Sequence, residues 1–212
     1  MKLYGYFRSS ASYRVRIALN LKGIAYDNAF IHLRRGEQSR PAFLKLNPMA
    51  VVPAFEDGPH VLTQSLAIIE YLDETHPEPP LLPKTAHERA RVRAIALAIA
   101  CDIHPIDNLR VLGYLEHELK LDQAARDAWY KHWVEIGLKA VEAMLAGHAA
   151  TGRFCHGDKP GLADACLVPQ VANAKRFNCD LSACPTILAI DGACQTLEAF
   201  QRAAPQNQPD RE

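Results

Sequence analysis

The sequence predicts a small α/β domain over residues 1–80, followed by an all-α domain over residues 87–212. Three observations carry that reading. β-prone runs alternate with helical periodicity only in the first third of the chain. Pro77, Pro79, Pro80 and Pro83 then crowd a stretch that cannot continue a helix and reads as a linker. Beyond them, every segment spaces its apolar residues three and four apart, as packed helices do. A chain of 212 residues is long enough to bury a real core in such an arrangement.

The first strand, Lys2 to Phe7, leads into a helix from Ala11 to Lys22, where Val15, Ala18, Leu19 and Lys22 recur at helical spacing and Gly23 can end the run. Ser9 and Ser10 sit at this strand-to-helix junction, and serine is a favoured N-cap. Open N–H groups and the positive end of the helix dipole make such a junction an anion site. Arg8, Arg14 and Arg16 add charge that opposes the dipole, so helix stability does not explain them. Taken alone, the pattern is a capping serine with solvated arginines. A second strand spans Tyr26 to Leu33, and a short helix Pro41 to Leu46 begins on a proline. In the run that follows, Val52-Pro53 is expected trans on local grounds. A cis bond there would turn the peptide groups of Val52 outward, where an extended peptide could pair with them. Glu56-Asp57-Gly58 marks a hairpin turn before the strand Val61 to Thr63. Ser65 then caps an amphipathic helix carrying Leu66, Ile69 and Leu72. The pair Gln64-Ser65 is a second candidate carboxylate site by the same helix-end chemistry.

In the second part, a helix from Glu88 to Cys101 is interrupted by Pro105 before Ile106 to Leu119 resumes. The break concentrates Asp102, His104, Asp107, Asn108 and Arg110. Gln123 to Leu145 places Trp129, Trp133, Ile136, Ala140 and Met144 on one stripe. Helices from Leu162 to Phe177 and near Thr186 to Ala203 close the chain. Asp164 is placed to bond back to the amide at Gly161, a folding signal without chemistry.

Composition narrows the function. A net charge of zero argues against nucleic acid or an anionic membrane as partner. No apolar run is long enough to span a bilayer, and the amino end lacks the apolar region of a signal peptide. Six cysteines without C-x-x-C pairs read as reduced thiols in a cytoplasm, with no metal site. The absence of G-x-G-x-x-G, P-loop, G-x-S-x-G and H-E-x-x-H patterns disfavours nucleotide and metal hydrolase chemistry.

The run SSASYRVRIAL resembles the signature of the zeta-class glutathione transferases, NPMAVVPAF their cis-proline segment, and QSLAIIEYLDE their strand-to-helix turn that binds a glutamyl group. CDIHPIDNLRVL and VPQVANAKRF are similar to bacterial maleylpyruvate and maleylacetoacetate isomerases of that class. Ala11 and Tyr13 depart from the class pattern, which has Cys and Trp there. The resemblance implies a thioredoxin-like first domain that binds glutathione and a helical second domain that shapes a substrate pocket. It implies that Ser9 donates to the glutathione sulfur and that Ser10 and Ala11 add helix-end amides. Val52 would pair with the cysteinyl backbone, Gln64 and Ser65 would bind the γ-glutamyl carboxylate, and Gln38 would reach the glycyl end. His104 and Asn108 would complete the cofactor contacts. Arg8, Arg110 and Arg176 match positions that hold the diacid substrate. The implied reaction is glutathione-dependent cis–trans isomerisation of a maleyl acid by a homodimer. The alternatives are a general conjugating or dehalogenating transferase and a non-catalytic binding module.

Overall fold

The structure is a computed structural model that describes residues 1–212. It divides into two units, one formed by Met1–Leu82 with Gln195–Glu212 and the other by Pro83–Cys194.

The first unit is built on β1 (Lys2–Gly5), α1 (Ser10–Leu21), β2 (Asp27–Phe30), α2 (Pro41–Leu44), β3 (Ala54–Asp57), β4 (His60–Thr63) and α3 (Ser65–Thr75). Its sheet runs in the order β2-β1-β3-β4, with β1 parallel to β2 and the other pairs antiparallel. Leu3 faces Phe55 across β1 and β3, and both are buried. The close seat of α1 on the sheet depends on Gly5, where a Cβ would lie 3.2 Å from Ser12 Oγ. β2 is shorter than expected, because the chain from Leu33 to Arg35 turns into a 3₁₀ helix.

Lys22, which ends α1, has a fully buried side chain. Its Nζ donates to Asp73 Oδ1 (2.8 Å), His76 O (2.7 Å) and Pro79 O (2.9 Å), using all three ammonium protons. Asp73 Oδ1 also accepts from Leu81 N at 2.7 Å. One cation thus ties the proline-rich segment after α3 to the first helix.

The second unit contains α4 (Ala86–Leu97), α5 (Leu109–His117), α6 (Gln123–Leu145), α7 (Leu162–Arg176) and nearly all of α8 (Pro185–Gln195). α4 starts at a reciprocal Thr85–Glu88 capping box. The buried carboxylate of Glu142 accepts from Thr186 N and Ile187 N, two open amides at the start of α8. The stripe of Trp129, Trp133, Ile136, Ala140 and Met144 is not the buried face of α6. Ile136 is exposed, and Tyr130, Val134, Leu138, Val141 and Leu145 are buried instead. Both stripes are apolar and both keep helical spacing, so periodicity alone could not choose between them.

Two further expectations are corrected at the end of the chain. The helix expected near 186–203 breaks after α8, and α9 is a separate element over Glu198–Ala203. The expected domain over 87–212 loses its last residues, since Gln195–Glu212 packs with the first unit. Polar side chains of α1 account for this. Asn20 Nδ2 donates to Ala199 O (2.9 Å), Arg16 Nε to Ala203 O (2.9 Å) and Tyr13 Oη to Phe200 O (3.4 Å). Buried donors require acceptors, and the tail carbonyls supply them.

Candidate active site

Ser9 is the N-cap of α1, with φ −67° and ψ 118°. Its Oγ accepts from Ser12 N at 3.2 Å, as a capping oxygen does at the positive end of a helix. Arg8, half-exposed, holds its guanidinium 5.1 Å from the Phe7 ring. The solvated-arginine reading fails for the other two cations, since Arg14 is 2% exposed and Arg16 3%. Arg14 Nη1 donates to Ser65 Oγ at 3.3 Å, so the two helix ends suspected of binding anions are joined by one side chain.

Ser65 is not a cap. It is the first residue of α3, and the capping position is Gln64, whose side chain makes no bond to the helix. Gln64 holds φ +69° and ψ 116°, a conformation that costs a non-glycine residue roughly 1–3 kcal/mol and clusters at ligand sites. Val52 precedes a cis Pro53, against the local expectation of trans. It packs in one cluster with Tyr6, Phe7, Phe43 and Ala54, adjoining the residues that lead to Ser9. Gln38 lies in a short 3₁₀ turn, and its buried Oε1 has no partner in the chain. Arg8, Ser9, Ser10, Ala11, Gln38, Val52, Gln64 and Ser65 are therefore all held in the first unit.

The remaining candidates belong to the second unit. After α4 the helix widens into a π turn over Ala98–Ile103, then tightens to 3₁₀ over His104–Ile106, and π turns are frequent at functional sites. Asn108 caps α5, its Oδ1 accepting from Arg110 N and Val111 N. Its Nδ2 remains as a donor. Arg110 is exposed in the first turn of α5. Arg176, the last residue of α7, sits 5.0 Å from the Phe177 ring, which stacks on Tyr130 at 3.6 Å.

Asp107 was not among the sequence candidates. It is 5% exposed, neither carboxylate oxygen has a partner in the chain, and burial pushes its pKa up to about 7. The neighbouring titratable groups are Tyr130 on α6 and Cys179 beyond α7, both pushed up themselves by burial and by this carboxylate. A sequence cannot show that an aspartate lacks donors.

This carboxyl has a consequence for stability. Below about pH 4 both folded and unfolded chains hold the proton. Between there and about pH 7 only the unfolded chain ionises, so stability falls as pH rises and then levels off. Asp107→Asn should flatten that slope and stabilise the protein by about 2 kcal/mol at pH 8, read by urea unfolding at several pH values. An unchanged slope would show that Asp107 ionises freely.

A mixed four-stranded sheet whose first helix opens at a serine cap, with a cis proline before β3 and a helical unit after it, is the architecture of a glutathione transferase. Residues 1–74 match the family model described as glutathione S-transferase, N-terminal domain. The chain is 51% identical over 210 residues to a maleylpyruvate isomerase of a Ralstonia species, covering 99% of each. It superposes with a TM-score of 0.98, at 51% identity and full coverage of both chains, on the holo structure of a maleylpyruvate isomerase described as a zeta-class bacterial glutathione S-transferase. A maleylacetoacetate isomerase of Methylobacterium extorquens AM1, solved with malonate and glutathione bound, superposes at 0.97 with 43% identity and full coverage. The chain belongs to the zeta class of glutathione transferases, the family of the maleylpyruvate and maleylacetoacetate isomerases.

Proposed function

We propose that this chain is a glutathione-dependent cis–trans isomerase that converts maleylpyruvate or maleylacetoacetate to the fumaryl isomer. The observation that carries the reading is the Ser9 hydroxyl at the open amino end of α1. The residues present fit the tripeptide. The orphaned Oε1 of Gln38, the uncapped Gln64 in its strained conformation and the Ser65 hydroxyl on Arg14 offer polar partners that the fold itself leaves unused or holds in place. Gln64 and Ser65 would hold the γ-glutamyl carboxylate, Val52 the cysteinyl backbone, and Gln38 the glycyl end. His104 and the Nδ2 of Asn108 would add contacts from the second unit.

When bound, glutathione would supply a thiolate for addition to one carbon of the activated double bond, the displaced electron pair moving to the conjugated carbonyl, so that the remaining single bond could turn before the pair returned and the sulfur left. Ser9 does the work of keeping the sulfur ionised. Its Oγ already accepts from Ser12 N–H, so its own proton is available to donate outward. A thiol of pKa about 8.5 is mostly protonated at neutral pH. A hydrogen bond to a charged group is worth roughly 1.5–3 kcal/mol and a helix amino end about 0.3–1. At about 1.4 kcal/mol per unit, together they lower the thiol by about one to three units. Ser9 is a donor and not a nucleophile. Arg8, Arg110 and Arg176 would bind the two carboxylates of the diacid, for which a planar guanidinium fork is suited. The protein acts in the cytosol as a homodimer and handles neither nucleic acid nor membrane. The neutral net charge speaks against a polyanionic partner.

The test is an assay of both maleyl acids side by side with the purified protein. Fumaryl product should form only when glutathione is present, and glutathione well below the substrate concentration should suffice because it is regenerated. Consumption of one glutathione per turnover would instead identify a conjugating transferase.

A further inference from the structure

We infer that Asp210 is a positioning residue for Ser9, acting through the backbone amide of Phe7. Ser9 stands at the end of a four-residue turn closed by Ser9 N–H donating to Tyr6 O at 3.0 Å. The amide inside that turn, Phe7 N, donates to Asp210 Oδ2 at 2.9 Å, across 203 residues of sequence. The carbonyls of the same turn are held from the other side by Arg16, whose Nη2 donates to Phe7 O (3.0 Å) and Nη1 to Tyr6 O (3.4 Å). Burial lowers the pKa of Arg16 to about 10, which leaves it charged at neutral pH.

The tail that carries Asp210 is anchored on both sides. Gln208 Nε2 donates to Arg202 O (2.8 Å) and Ala204 O (3.0 Å), and Glu212 pairs with His32 and Arg35. The turn is therefore clamped by one cation from α1 and one anion from the carboxyl-terminal segment. A hydrogen bond to an ionised acceptor is roughly twice as strong as a neutral one. What it fixes is the direction in which the Ser9 hydroxyl and the first amides of α1 face. The inference rests on Ser9 holding the glutathione sulfur, as proposed above.

Its electrostatic sign makes it testable. A negative charge near a thiolate raises the thiol pKa, so charge alone makes Asp210 unfavourable to the reaction, whereas its hydrogen bond is favourable. Asp210→Asn keeps an acceptor for Phe7 N–H and removes the charge. Asp210→Ala removes both. The readout is the ultraviolet absorbance of the thiolate in the protein–glutathione complex, titrated over pH, together with kcat/KM. Asp210→Ala should raise the bound thiol pKa by about one unit and lower kcat/KM about tenfold, whereas Asp210→Asn should stay at or slightly below the wild-type thiol pKa.

A purely structural role would lower thermal stability without moving the thiol pKa of the folded complex, and that result overturns the inference. So does an Asn variant as impaired as Ala. If Asp210→Ala does not fold, Asp210→Glu, whose acceptor is displaced by one methylene, carries the same expectation in the same direction, and a wild-type thiol pKa in it is equally damaging. Ser9→Ala in the same titration separates the two readings. A shift with Ser9→Ala but none with Asp210→Ala removes the Asp210 role alone, and no shift with Ser9→Ala removes the Ser9 reading beneath it.

Discussion

Ser9→Ala should slow isomerisation by about 10- to 100-fold in kcat/KM while glutathione still binds, because it removes one hydrogen bond to a charged sulfur worth roughly 1.5–3 kcal/mol. The loss should shrink as pH rises, since hydroxide then ionises the bound thiol without help. Alanine also removes the cap on α1, at a cost of about 1 kcal/mol in stability. Stability and catalysis separate in Ser9→Thr, which keeps both a capping oxygen and a donor and should retain most activity. The measurement is a pH–rate profile of the three proteins at saturating glutathione. A wild-type profile in Ser9→Ala would sink the mechanism.

Arg176→Ala should weaken a maleyl diacid by about 10- to 100-fold in kcat/KM, the scale of a lost charge-assisted hydrogen bond, and leave conjugation of a neutral aryl halide within about twofold. Arg176 is well placed for such a difference. Its guanidinium lies against Phe177, whose ring is stacked on the buried Tyr130, so the charge is presented from a rigid aromatic base. Arg176→Lys should recover only part of the loss, because an ammonium keeps the charge without the planar fork. Arg110→Ala is expected to show the same preference more weakly, since both residues are exposed and only the Arg176 guanidinium lies over a ring. Equal losses on the diacid and the neutral substrate would remove the carboxylate role from both.

Local chemistry made much of the first unit legible in advance. A serine at a strand-to-helix junction announces a cap, and of the two serines there it is Ser9 that caps, the helix starting one residue earlier than expected. The same logic failed at Ser65, because whether a serine caps or starts a helix depends on the backbone of the residue before it, and a φ of +69° at a glutamine has no sequence signal. Arg14 and Arg16 looked like surface charge because their sequence neighbours do not show which backbone and hydroxyl oxygens would accept from them. Their partners lie in α3, in the Tyr6–Ser9 turn and at Ala203. Long-range hydrogen bonds of this kind also moved the last eighteen residues into the first unit, beyond the reach of periodicity. On α6, two apolar stripes competed and tertiary packing chose the one centred on Tyr130 and Val134. Motif likeness, not periodicity, is what nominated His104, Asn108, Arg110 and Arg176.

The placement of the cysteines bears on how such an enzyme survives its own work. Maleyl acids are soft electrophiles that alkylate ionised thiols indiscriminately, and the chain carries six thiols of its own. Cys155, Cys166, Cys184 and Cys194 are walled inside the helical unit, and burial drives Cys155, Cys184 and Cys194 away from ionisation. Cys179, half-buried, is pushed up to about 11. Cys101 alone is fully exposed. The protein thus keeps the thiols of its helical core dormant and leaves reactivity to a sulfur it borrows for each turnover and can replace.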